Sequence, residues 1–398
     1  MPARKNIGNY FAADIISQLG SNIAFIALHW YIIEMTDSNE NVGIAALIGV
    51  LAGLLTCPFA GIIADIFSRK SIIIYSNYLR AISVSGALYL LYYNEFHMGY
   101  IYCLFIISGI GFNIYIPASK AFLQEIIIEN EAVKFSGFLE VNVQISFLVA
   151  GALSGLFYKL LGIYGILLFD IVSFILASIL LYPIECRKQY NKKAYESFWT
   201  EFKEGAYYFS KKKIVFYFML IMLLPHIVTI AQNIVLPGYV MHHLMSDSIT
   251  YGMLSMMYGI GATIISIIFI FNANIYSSKY LIYKSFIISI LSIFTLIFTK
   301  SIIISLIALF FFGFANSAIK IMLISTMMRI VDGIYMGRVI SVKNLIITML
   351  QLFSSYNIGL LMDKYGDITG FIFLEAIMLL AFTLYMILAR RFNVLLRF

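Results

Sequence analysis

"GIIADIFSRK", residues 61–70, closes a long apolar run with one acid, Asp65, and follows it at once with two bases, Arg69 and Lys70. That crowding of charge is out of character for this chain. Of its 398 residues 62% are hydrophobic and only 12% are charged, and the mean hydropathy is +0.92. Soluble proteins average about 25% charged residues, and a water-facing surface cannot be built from so few. The decapeptide therefore reads as a tight loop between two membrane spans.

A helix needs about 20 apolar residues to cross a hydrocarbon core of about 30 Å. Windows of that length mark spans at 11–33, 42–64, 71–93, 98–120, 136–158 and 162–183. A polar stretch, 184–213, follows, and then spans at 214–236, 251–272, 279–299, 301–323, 341–362 and 368–390. The expected fold is all-α and membrane-integral. Twelve transmembrane helices are expected in two pseudo-symmetric six-helix bundles, residues 1–183 and 214–398, joined by the linker 184–213. Halves of equal size are the mark of a duplicated transporter. No small-residue cleavage site follows the start of the chain, so the first apolar segment reads as a retained helix.

Lys and Arg set the orientation. With the N-terminus inside, 24 of the 27 basic residues fall on inner segments and only Lys159, Lys300 and Lys364 on outer loops. Both termini and the linker are thus expected in the cytoplasm of a cell whose plasma membrane holds the protein. The net charge of +7 is topological; no basic soluble domain remains to bind nucleic acid. The linker segment 196–209 could form an amphipathic helix, with Phe198, Phe202 and Phe209 on one side, lying on the inner leaflet. Cys57, Cys103 and Cys186 have no metal spacing and read as packing residues.

In its loop position, GIIADIFSRK resembles the G-x-L-a-D-r-x-G-R-K motif of the major facilitator superfamily through Gly61, Ile63, Ala64, Asp65, Arg69 and Lys70. Ile66 and Ser68 depart from it. Around it, "ALHWYIIEMTDS", "SNYLRA", "YIPASKAFLQEII" and "LLFDIVSFILAS" are similar to the branch holding macrolide efflux proteins and the enterobactin exporter. The resemblance implies two bundles rocking about a central site lined by spans 1, 4, 7 and 10. It also implies a conformational latch in which Asp65 meets the start of span 11 and Arg338, with Gly61, Arg69 and Lys70 completing the loop. A helix N-terminus carries about half a positive charge, which suits Asp65. Arg69 and Lys70 orient Asp65, hold lipid headgroups or only fix topology. The corresponding loop of the second half, "NANIYSSKY", lacks both Gly and Asp. Span 5 reads "FLVAGALSGLF", without the Pro of the exporters' G-P-x-x-G-G run; its small-residue spacing, like that of Gly49 and Gly53, favours close helix packing.

Ionisable groups at membrane depth are costly and face a partner or a cavity. Arg80, about 14 Å into span 3 at 1.5 Å per residue, and Asp170 in span 6 are expected to form an intramembrane ion pair. The cavity is expected to draw on Gln18, Asn22, Asn113, Tyr115, Gln232, Asn233, Asn316, Lys320 and Lys343. Asp14, Glu140 and His226 are candidates for proton coupling, each with a plainer reading as a solvated or hydrogen-bonded group. His29, beside Trp30, reads as an interfacial anchor or a cavity residue. No acid sits at mid-depth in spans 1, 4, 7 or 10. That leans toward a neutral or anionic solute, with a carboxylate or catecholate siderophore first and a macrolide-like or other drug second.

The rival classes are a membrane enzyme and a channel. The chain has no H-E-x-x-H, G-x-S-x-G or phosphate-loop motif, and the adjacent His242 and His243 are poorly spaced for a metal. No metal and no cofactor are expected; with no nucleotide domain, energy would come from a proton gradient. A channel would show gradient-independent flux. The expected partners are a small-molecule substrate and membrane lipids, and the expected state is a monomer.

Overall fold

The computed structural model describes residues 2–94, 96–126, 132–184, 207–209, 211–271 and 279–391. At some helical positions, Gly61, Asp65 and Glu140 among them, only the backbone is described. The described chain is helical and without strands: α1 Pro2–Thr36, α2 Asn39–Ile66, α3 Arg69–Tyr93, α4 Met98–Ile126, α5 Ala132–Leu181, α6 Lys213–Gly238, α7 Ser248–Phe271, α8 Lys279–Phe298, α9 Ile302–Ile330, α10 Gly333–Tyr365 and α11 Ile368–Arg391. A π-helical turn, Tyr239–His243, extends α6.

Ten of these helices are long and apolar enough to cross a membrane. Two further spans have physical reasons for escaping that test. The 50-residue α5 is two helices, broken at Gly162. There φ is +62°, a conformation in which a side chain would strain the backbone. The 25-residue α3 is diluted by Ser76, Asn77 and Arg80, yet at 1.5 Å per residue it is long enough to span. Its polar side chains are buried rather than turned outward. Twelve membrane-length segments result.

The chain forms two compact units, Met1–Asp37 with Ile44–Ala194, and Ser38–Gly43 with Tyr195–Phe398. In the first, α1 lies along α5, and α3 packs on α4 and α5. Tyr10, Ile72, Ile73, Tyr115, Phe122 and Leu181 share its core. In the second, α9 packs on α6, α7 and α8, while α11 packs on α6, α8 and α10. Asp363 accepts from the backbone N–H groups of Asn39 (2.7 Å) and Glu40 (3.0 Å) and from Ser38 Oγ (2.6 Å), all within the second unit.

Both units contain a glycine-on-carbonyl crossing. A Cβ on Gly109 of α4 would lie 2.3 Å from the Gly49 carbonyl oxygen of α2, and one on Gly313 of α9 would lie 2.1 Å from that of Tyr258 of α7. Only glycine permits backbones to approach so closely.

The opening decapeptide gains a structural role here. Ser68, where the motif has glycine, caps α3 by accepting from Ser71 N at 3.2 Å, a good N-cap side chain. Lys70 Nζ donates to the carbonyls of Tyr182 (2.6 Å) and Ile184 (2.9 Å), the carbonyls that a helix end leaves without intrahelical partners. Arg69 forms a salt bridge to Glu125 (2.9 Å) and donates to Ala121 O (3.4 Å). The two bases therefore tie α3 to the ends of α4 and α5.

Candidate functional site

Among the described residues a buried polar cluster stands out in each unit, and the two differ in chemistry. In the first unit the centre is Asp14 on α1, only 3% exposed. Its carboxylate accepts from Tyr115 OH (2.7 Å), Gln18 Nε2 (2.7 Å) and Asn142 Nδ2 (2.5 Å). Arg80 lies on the other side of Tyr115. Its guanidinium carbon stands 4.8 Å from the Tyr115 ring centre and 4.3 Å from that of Phe174, which are cation–π distances.

Arg80 and Asp170 act on one another's charge. Among the described residues, however, no hydrogen bond or salt bridge joins them. The guanidinium instead donates to Asn77 Oδ1 (2.7 Å) and Ser17 Oγ (3.4 Å). Asn77 stands one helical turn before Arg80, within side-chain reach of it. Asp170 sits under Gly20 of α1, where a Cβ would fall 3.0 Å from Asp170 Oδ1 and 2.0 Å from Ser173 Oγ.

Gln18, Tyr115, Asp14, Arg80 and Asp170 are thus gathered into one neighbourhood by α1, α3, α4 and α5. Asn113 stands apart, donating to Gly109 O (3.1 Å) on its own helix, and Asn22 joins neither group. Ser17, Asn77 and Asn142 complete the network; the sequence singled out none of them, Asn77 and Asn142 lying on spans other than those expected to line the cavity.

In the second unit the centre is Asn316 on α9, fully buried. Its Nδ2 donates to Thr229 Oγ1 (2.8 Å), Tyr258 OH (3.2 Å) and Pro225 O (3.4 Å). Lys320, one turn along α9, donates to Thr229 Oγ1 at 3.1 Å. His226 Nδ1 pairs with Met222 O at 3.0 Å and feels the charges of both Lys320 and Lys343. Lys343 is 8% exposed, and its ammonium has no hydrogen-bond partner among the described residues. Two buried acceptors, Asn316 Oδ1 and Gln232 Oε1, also lack partners; Asn233 beside Gln232 is half-buried. Among the described residues, neither Asp nor Glu takes part. Thr229 and Tyr258 were not foreseen, since hydroxyls are common in membrane helices.

Other expectations find their places. The side chains of Asp65 and Glu140, the surroundings of Gly61, the linker from 185 to 206 and Cys186 lie outside what is described. Arg338 stands on the first turns of α10 over the Tyr335 ring, 5.4 Å from its centre. Cys57 and Cys103 are free and exposed rather than packed inside. His29 is buried: its Nδ1 pairs with Phe25 O at 2.7 Å and its ring lies 4.2 Å from that of Phe25. His243 pairs with Thr299 O, and His242 with Asp367 at 3.1 Å. Among the described residues no group of three or more metal-capable side chains gathers.

The family model described as Major Facilitator Superfamily matches residues 10–350. The uncharacterized MFS-type transporter YkuC of Bacillus subtilis is 25% identical over 224 residues, covering 53% of this chain and 51% of that protein. Macrolide efflux protein A of Streptococcus pyogenes is 24% identical over 213 residues, covering 53% of each. The chain spans about half the length of the curated relatives it matches. The crystal structure of a mutant of the nucleoside transporter NupG superposes with a TM-score of 0.77 at 13% identity, covering 96% of this chain and 99% of that one. That likeness is one of fold. The family match runs through both helical units, so the chain is a multi-pass membrane protein and belongs to the Major Facilitator Superfamily of transporters.

Proposed function

We propose that this protein is a secondary active exporter of a small organic anion, driven by proton antiport across the plasma membrane, with its termini and linker in the cytoplasm. One observation carries the substrate class: Lys320 and Lys343 both lie near enough to His226 for their charges to act on it, and among the described residues no Asp or Glu bonds to any of the three. A buried positive charge is costly unless it is paired. A solute bringing a carboxylate or phenolate would supply the missing charge, and Asn316 Oδ1 and Gln232 Oε1 would accept from its hydroxyls or amides. Arg69 and Lys70 are engaged within their own unit, which favours a structural part for these two. Asp14, Glu140 and His226 are our proton-coupling candidates.

A siderophore of the carboxylate or catecholate type is the first substrate reading, because it combines anionic groups with many hydrogen-bonding ones. Likeness to macrolide efflux protein A favours a second, export of a macrolide-like drug. Mass spectrometry of spent medium from a deletion strain and its parent under iron starvation separates them. Loss of a secreted chelator from the medium, with its build-up in the cells, supports the first. An unchanged secreted profile with raised macrolide sensitivity overturns it in favour of the second.

A further inference from the structure

The last helix of each unit is entered through a glycine of positive φ, Gly162 (+62°) and Gly366 (+94°). Each then carries one buried acid: Asp170 eight residues after its glycine and Glu375 nine residues after. At 1.5 Å per residue both lie about 12–14 Å along the helix, well inside the candidate spans Ile145–Leu181 and Ile368–Arg390. Their partners differ. Asp170 has the charge of Arg80 beside it, from α3. In the second unit α8 carries Lys284, but this lysine is exposed, its ammonium over the Tyr280 ring at 4.3 Å.

Glu375 is 9% exposed and shares its helix face with the fully buried Phe371 and Met378, one turn before and one turn after it. Its Oε2 is buried without a hydrogen-bond partner. The helices packed on α11 are α6, α8 and α10. None of their titratable side chains, including His226, Tyr283, Lys284 and Lys343, forms a hydrogen bond or ion pair with it among the described residues. The aromatic contacts of Tyr283 and Phe286 with Phe382 and Tyr385 set the register of α8 against α11. Two intervening spans make these helices antiparallel, so Ser292 of α8 stands at the level of Glu375, with Ser289 one turn away. Ser289 Oγ is likewise buried without a partner.

A carboxylate with no cation beside it is not tolerated in such surroundings, whereas a neutral carboxyl is. We propose that Glu375 is an exchangeable proton site: it holds a proton in this conformation and gives it up as the second unit moves. The inference rests on the proton-antiport reading only for its purpose; the site itself is testable without any solute.

The probe is dicyclohexylcarbodiimide, an apolar reagent for protonated carboxyls in membranes. The acid's O–H adds across a C=N bond, the proton going to nitrogen and the carboxyl oxygen to carbon. The O-acylisourea then rearranges to a stable N-acylurea, with no leaving group. Purified full-length protein in liposomes is treated over a pH series, and the adduct at Glu375 is quantified by peptide mass spectrometry. Expected is labelling that falls about tenfold per pH unit beyond its midpoint. An alkaline pH jump should also release one proton more from the wild type than from Glu375→Gln. No adduct at any pH, or labelling equal at every pH, overturns the proposal: the first means a charged or shielded acid and the second a locked structural proton. Should Glu375→Gln fail to fold, labelling of the wild type alone still decides. A failed siderophore or macrolide assay would leave these readouts unchanged.

Discussion

The two units are built to one plan and filled with different charges. Each has a second helix crossing its fourth on a glycine, and each enters its last helix through a positive-φ glycine. Inside, the first unit surrounds its charges with partners: Asp14 accepts three hydrogen bonds, and Arg80 lies between two aromatic rings near Asp170. Among the described residues, the second unit sets two lysines near a histidine with no acid bonded to them, and elsewhere buries Glu375 with no base bonded to it. Compensated charge in a membrane fastens helices together. Uncompensated charge leaves work for a solute or a proton.

The largest expected effect lies in the first unit. Arg80→Met leaves Asp170 buried without the nearby charge of Arg80 and should cost about 3–5 kcal/mol, read as loss of folded protein or a much lower melting temperature in detergent. Adding Asp170→Leu should recover most of that loss. An Arg80→Met variant that melts like the wild type would break the distinction between the units. Lys320→Met should act the other way round: export falls by about tenfold or more, some 1.4 kcal/mol of solute binding, while the melting temperature stays put. If it unfolds the protein instead, the second cluster is scaffold like the first.

Much of the plan was legible in the sequence, and what was hidden has physical reasons. Apolar windows found the twelve spans, including α3, because length and greasiness are properties of one segment. Helix ends were less legible: α1 begins at Pro2 and α4 runs to Ile126, since a helix continues into the headgroup region for as long as its backbone bonds are met. The members of the first cluster were visible as isolated charges, but their partners were not. Arg80 looked destined for Asp170, yet Asn77 on its own helix takes the hydrogen bond. Thr229, Tyr258 and Asn142 are ordinary residues that matter through packing between helices, which no single span reveals. Glu375 was the most visible of the misses, an acid alone in an apolar run.

Shared architecture gives the next prediction. Gly109→Leu and Gly313→Leu each drive a side chain into a backbone carbonyl on the neighbouring helix. Both should destabilise by about 1–3 kcal/mol. Similar melting shifts would sharpen the view that the crossings are equivalent; a shift in only one would break it.

The smallest effect is at the start of α10. Asp332 accepts from Lys212 Nζ (2.8 Å) and Tyr208 OH (3.1 Å). These bonds, Lys212 first, hold its carboxyl below the ordinary carboxylate range. The sign follows: the contact is fully present above the ordinary carboxylate value and is lost only as pH falls through the lowered one. The group is fully exposed, so Asp332→Asn should leave melting unchanged and show only as faster proteolysis near residues 207–213. Equal cleavage of both proteins would mean that the contact does not restrain the chain.

The most direct test of the division between fastening and binding charges sets Arg80→Met beside Lys320→Met in one strain lacking the native gene. Melting of the purified protein and secretion of the chelator are measured on the same preparations. The expected result is a crossed pattern: Arg80→Met is lost with the fold, and Lys320→Met is folded, present in the membrane and silent in export. A Lys320→Met protein that exports like the wild type would contradict the assignment of the second cluster to an anionic solute.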